Sequence, residues 1–248
     1  MGDKLLSPPL IEALCEFRFA QSTPWDWTFP GRLYDQLSKD FPERSQVDGV
    51  GVQIQFGPGK PVSSEVFKGP DRIQMKRTDG SAMVQVGPHL LAVNHLRPYS
   101  DWDSFRTLIL SVFEKYIQLS GGCSLARIGL RYINQIQLTR DSWKLKDIIT
   151  VMPPLKGTLD RLLSGFYQRY EILYDSPRGI LIHQTGIQET EQAKPLMLDL
   201  DFGSMDLQGI CDQSGVGNLL DAAHGIVYEC FVASLTPEFY GELRRGKQ

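Results

Sequence analysis

Between Leu125 and Leu138 the even positions carry Ile128, Leu130, Tyr132, Asn134, Ile136 and Leu138, while Arg127 and Arg131 fall on the odd ones. A period of two sustained over that length describes a long β-strand with one covered and one wet side. Such a strand has two backbone edges and one apolar face, so the rest of the chain must supply neighbouring strands and a covering layer. Residues 10–20 repeat the pattern. There Ile11, Ala13, Cys15, Phe17 and Phe19 alternate with Leu10, Glu12, Leu14, Glu16 and Arg18.

Helical spacing supplies the cover. Thr28 with Pro30 opens a helix carrying Leu33, Tyr34, Leu37 and Phe41. Ser100 is expected to cap a second, in which Trp102, Phe105, Ile109, Val112, Tyr116 and Leu119 step by three and four until Gly121-Gly122. A short helix is expected near 142–151. A last one spans about 216–235, with Leu220, His224, Val227 and Phe231 on one stripe and Pro237 beyond its end. Residues 50–96 read as a meander of short strands punctuated by Gly57-Pro58-Gly59, Gly69-Pro70-Asp71, Asp79-Gly80 and Gly87-Pro88. Further strands are expected near 166–175, 179–188 and 196–202.

Each half of the chain therefore reads as strand, helix, several antiparallel strands and a long helix. The fold class expected is α+β: two β-α-β(3–5)-α units, residues 1–123 and 124–248, forming one curved antiparallel sheet with long helices packed on one face. The two units are expected to make one continuous globular module.

Composition narrows the classes. At 248 residues, 42% hydrophobic and 22% charged, the chain has enough apolar material for a sizeable core, which excludes disorder, collagen and coiled coil. Its 26 basic and 29 acidic residues give a net charge of −3, spread evenly over both halves, so neither half is a polycation. The start shows no secretory pattern and no apolar run approaches the roughly 18–20 residues that cross a bilayer, so a cytoplasmic protein without membrane contact is expected. Cys15, Cys123, Cys211 and Cys230 lie scattered without metal-ligand spacing, and four reduced thiols are expected.

The sharpest chemical candidates are Asp199 and Asp201, two apart in Leu196–Phe202 and so on one sheet face. They could hold a divalent cation or divide acid and base roles, with His224 as a third member. The plainer reading makes them the wet side of a half-covered strand, paired with Arg127 and Arg131 of a neighbour, and sets His224 on the core stripe of its helix. No His-rich motif supplies further metal ligands, and neither metal nor cofactor is expected. A second cluster, Lys60, Lys68, Arg72, Lys76 and Arg77, makes the meander locally basic near Phe56 and Phe67, which would suit contact with a phosphate backbone.

Several segments together resemble a family of prokaryotic proteins of similar length, uncharacterised and sporadically distributed. They are Pro8-Pro9-Leu10-Ile11-Glu12-Ala13 with Glu16-Phe17-Arg18-Phe19, Gly129-Leu130-Arg131-Tyr132-Ile133-Asn134, Leu198-Asp199-Leu200-Asp201, and His224 with Phe231 and Leu235-Thr236. The resemblance implies a prokaryotic origin and cytoplasmic residence, and its patchy distribution suits a role in conflict with phages or mobile elements. The function expected is a non-enzymatic accessory or binding protein. Its polar sheet face, built from Glu12, Glu16, Arg18, Arg127 and Arg131, would contact a protein partner or a second copy. The alternative is a metal-dependent hydrolase or nuclease, or a nucleic-acid-binding protein, using the acidic strand or the basic meander.

Overall fold

The computed structural model describes residues 5–20, 25–26, 28–47, 50–55, 63–68, 72–122, 124–138, 145–152, 165–187, 195–210 and 212–246. Eleven strands lie among them: β1 (Leu10–Phe19), β2 (Glu43–Val47), β3 (Val50–Gln55), β4 (Ser63–Lys68), β5 (Arg72–Lys76), β6 (Ala82–Gly87), β7 (Leu90–Leu96), β8 (Leu125–Ile136), β9 (Tyr167–Asp175), β10 (Arg178–Ile187) and β11 (Leu196–Ser204). The described helices are α1 (Phe29–Leu37), α2 (Trp102–Ser120), α3 (Leu145–Ile148), α4 (Gln213–Ser234) and α5 (Pro237–Arg245). Nine strands form one sheet in the order β2-β5-β6-β7-β1-β8-β11-β10-β9, while β3 and β4 make a separate hairpin. Every pairing is antiparallel.

The two long alternating segments lie side by side at the centre, with Cys15 opposite Leu130 and Phe17 opposite Ile128. Their apolar residues share one face with Val93 of β7 and with Leu200 and Phe202 of β11. Aromatic stacking ties this face to α2: the rings of Phe17 and Phe113 lie 4.7 Å apart, those of Phe19 and Tyr116 4.5 Å. Phe17 is fully buried and Phe113 nearly so. Helix α2 also packs on β7, α4 on β8 and β11, and α1 on α2.

This architecture overturns the expected fold class. A single nine-stranded sheet with five helices replaces the two β-α-β units with long helices on one face. Strands β1 and β8 join the strands of the two halves into that one sheet, each satisfying an edge of the other. The helices also support one another: α3 packs against α5, and Ile149 bridges Leu235 just beyond α4.

Three helix ends differ from expectation. Asp101, rather than Ser100, caps α2, its carboxylate accepting from the Ser104 N–H at 2.7 Å. Helix α4 begins earlier than expected, at Gln213, with Asp212 accepting from the Gly215 N–H. Pro237 does not merely follow a helix end but starts α5, with Thr236 as its cap.

Candidate functional site

Period-two alternation sends every second side chain of the central strands to the face opposite the helix layer. On that face the register sets Asp201 opposite Arg131, and Arg131 opposite Leu14 on the other side. Arginines of β8 thus lie between the acids of β1 and β11. Arg18 donates twice to Glu16, at 2.8 and 2.9 Å. Arg127 bridges outward, to Glu16 at 3.2 Å and to Asp201 at 3.0 and 3.3 Å. Arg131 grips Asp199 through Nε and Nη2, and Gln184 donates to the same carboxylate at 3.4 Å.

Two glycines make room for this array. Gly129 and Gly203 sit opposite each other in β8 and β11, and the Arg127 guanidinium lies over both. A Cβ at Gly129 would clash with Arg127 Nη1, and one at Gly203 would stand 2.6 Å from Nη2. The bare backbone therefore lets a flat cation rest on the sheet between Glu16 and Asp201. Beside it lies a shallow pocket of about 160 Å³ lined by Leu14, Glu16, Arg72, Gln85, Arg127, Arg131 and Asp201 among others.

The array is half-buried, which raises its electrostatic weight above that of a solvent-exposed pair. Burial pushes the Asp201 carboxyl up from its ordinary value, against the lowering pull of Arg127 and Arg131. The hydrogen bond to Asp199 holds the Arg131 guanidinium above its own ordinary value, with Asp199, Asp201 and Glu12 adding to the effect. On the β7 side a neutral chain continues the face. Gln74 donates to Gln85 at 3.2 Å, Gln85 to Asn94 at 3.0 Å, and Asn94 to Glu12.

The structure separates the acidic pair from His224. Asp199 and Asp201 lie on the polar face, whereas His224 of α4 accompanies Tyr132 on the covered face. Its ring stacks on Trp102 at 4.3 Å, and its Nδ1 lies 3.2 Å from the Tyr132 hydroxyl, which meets the Tyr99 hydroxyl at 3.2 Å. Burial drives its pKa down to about 4. Tyr99, Tyr132 and a neutral His224 ring thus form one hydrogen-bonded chain beneath the helices. The trio expected for hydrolysis is thus not assembled. Among the described residues no group of three His, Cys, Asp or Glu side chains is placed to hold a metal ion.

The basic cluster is also divided. Lys60 lies outside the described residues, as does the side chain of Lys68. Arg72 and Lys76 share a face of β5 with Gln74, and Arg72 lines the pocket beside Arg127 and Arg131. Arg77 sits over the Phe41 ring, 5.4 Å from its centroid. Of the described members of the cluster, Arg72 is the one that lines the pocket of the central array.

Reading the sequence alone missed the amides Gln74, Gln85, Asn94 and Gln184, and Tyr167, whose hydroxyl donates to Gln184. Their alternation with buried neighbours was a usable signal, but amides give no charge to mark a site. Of the four cysteines, Cys15 and Cys230 are free thiols, and Cys123 and Cys211 lie outside the described residues.

No protein-family model, no curated protein and no solved structure matches the chain. Among the described residues, no helix is long and apolar enough to cross a membrane.

Proposed function

We propose that the chain is a non-enzymatic binding protein whose polar sheet face docks a protein partner. The observation that carries this reading is the run Arg18–Glu16–Arg127–Asp201, in which side chains of three strands are cross-bonded into one mixed-charge surface. Cross-bonding orders long side chains before a partner arrives, which lowers the entropic cost of docking. Alternating signs at defined positions favour a complementary protein surface over a uniform polyanion. Each aspartate of the acidic strand is already engaged by an arginine, which argues against a vacant cation site.

The test is affinity capture from the native host with the wild-type chain and with Arg127→Ala/Arg131→Ala, both checked by circular dichroism. Partners held by the wild type and lost by the folded variant support the reading. Unchanged partners overturn it, as does any divalent-metal-dependent turnover that Asp199→Asn abolishes.

A further inference from the structure

Strand β9 ends the nine-stranded sheet on one side, and β2 ends it on the other. The two edges are built differently. β2 is five residues long, Glu-Arg-Ser-Gln-Val, the short polar form that discourages edge pairing. β9 is nine residues long, and among the described residues it carries four of the seven exposed large hydrophobics: Tyr167, Tyr170, Ile172 and Leu173. Leu173 is 79% exposed and Tyr167 65%. Among the described residues no strand pairs with the outer side of β9, and a long edge carrying exposed hydrophobics is a template for another strand.

The backbone restricts which strand fits. The Ile187 N–H donates to the Phe166 carbonyl at 3.1 Å, and these residues extend the register that sets Tyr167 opposite Gly186. Even-numbered residues of β9 therefore direct their N–H and C=O groups toward β10, and odd-numbered ones direct theirs outward. An antiparallel newcomer must match its own outward-directed residues to 167, 169, 171 and 173. A second β9 does so when the two-fold axis passes through Tyr170. Arg169 then faces Glu171 of the second copy twice over, Tyr167 faces Leu173, and Gln168 faces Ile172. Moving the axis to Arg169 or Glu171 sets like charges against each other. Moving it to Ile172 sets Arg169 against Asp175 but leaves Glu171 against Leu173, so that one charge of each copy loses its opposite partner.

We infer that the occupant of this edge is a second copy of the chain, joined β9 to β9 in the register centred on Tyr170. The Arg169–Glu171 ion pair made within one strand is exchanged for two across the axis. All four exposed hydrophobics gain a neighbour in the second strand, and the two polar sheet faces become continuous. This inference does not depend on the polar face having a partner.

Sedimentation velocity on the full chain across a concentration series tests it. The wild type is expected to dimerise reversibly. Arg169→Glu and Glu171→Arg are each expected to weaken the homodimer by roughly tenfold, because each puts like charges in both cross-strand pairs. Mixed in equal amounts, the two variants should regain wild-type affinity, since each then meets the opposite charge twice. Cysteine in place of Tyr170 should form a disulfide to its own copy. Non-hydrogen-bonded pairs bring Cα atoms to about 4.5 Å, within disulfide reach, and peptide mapping reads that link. A monomeric wild type, variants that dimerise unimpaired, a mixture no tighter than its components, a Tyr170→Cys chain with no such link, or an edge that binds only a heterologous peptide would overturn it.

Discussion

The two faces of the central sheet are made by the same strands and met opposite fates. On the covered face Ala13, Cys15, Phe17, Leu130, Leu200 and Phe202 lose nearly all contact with solvent, and several of the polar groups that go with them are satisfied one by one, whereas His183 Nδ1 has no partner among the described residues. Asn134 donates to the Leu198 carbonyl and Thr185 to the Met197 carbonyl. The Ser234 hydroxyl donates to the Cys230 carbonyl, which leaves its oxygen to accept from His183 Nε2–H at 2.9 Å. On the polar face the charges satisfy one another across strands instead. Burial decides which solution is used: under helices a charge would face a large desolvation cost, so neutral histidines and amides appear, whereas half-wet positions tolerate arginine and carboxylate.

The strongest test of this division is in the covered layer. Phe113→Ala removes the ring stacked on Phe17 and should cost about 3–5 kcal/mol in urea unfolding. A cost below about 1 kcal/mol would mean that the helix layer is not the main support of the sheet.

Next comes pH. Burial lowers the His224 pKa from 6.5 to about 4, so the unfolded chain takes up its proton first as pH falls. Stability from this group is complete above about pH 6.5 and is lost progressively down to about pH 4, some 3 kcal/mol in all. Asp221 and Asp103 pull the other way, and the opposite, raised shift of Asp201 acts with reversed sign. The measurement is therefore the difference between wild type and His224→Gln, followed by denaturant midpoints from pH 7 to 4. Parallel curves would refute a neutral, buried His224.

A smaller effect is expected on the polar face. Arg131→Ala strands the Asp199 carboxylate, which is only 14% exposed, and should cost about 1–3 kcal/mol. Arg131→Ala/Asp199→Leu should recover much of that loss, and failure to do so in a double-mutant cycle would show that Arg131 acts through other contacts.

Gly129→Ala should move stability least, within about 1 kcal/mol, because its Cβ meets the far end of a flexible side chain and a strand gains from losing a glycine. It should nevertheless lift the Arg127 guanidinium off the sheet. Captured partners lost without a change in melting temperature would sharpen the contrast between a supporting face and a working one.

Much of this was legible in the residues themselves. Alternation in 10–20 and 125–138 marked two long strands and assigned each side chain to a face, because a strand's period of two is a local property of the backbone. Gly121 with its left-handed backbone, and the Asp79-Gly80 turn, were readable for the same reason. The expectation of two units failed because strand order is not local. Nothing in β1 or β8 states that they pair with each other, or that a fifth helix, α5, follows α4 and packs against α3.

The sequence by itself determined which residues could be wet and which covered, since hydrophobic period and turn chemistry act within a few residues. Only the tertiary structure decided that Arg127 lies over two glycines between Glu16 and Asp201, that His224 is walled off from Asp199 and Asp201 by the sheet, and that β9 is left at an edge. Those outcomes depend on register between segments separated by scores of residues, and register is set by the packing of the whole sheet.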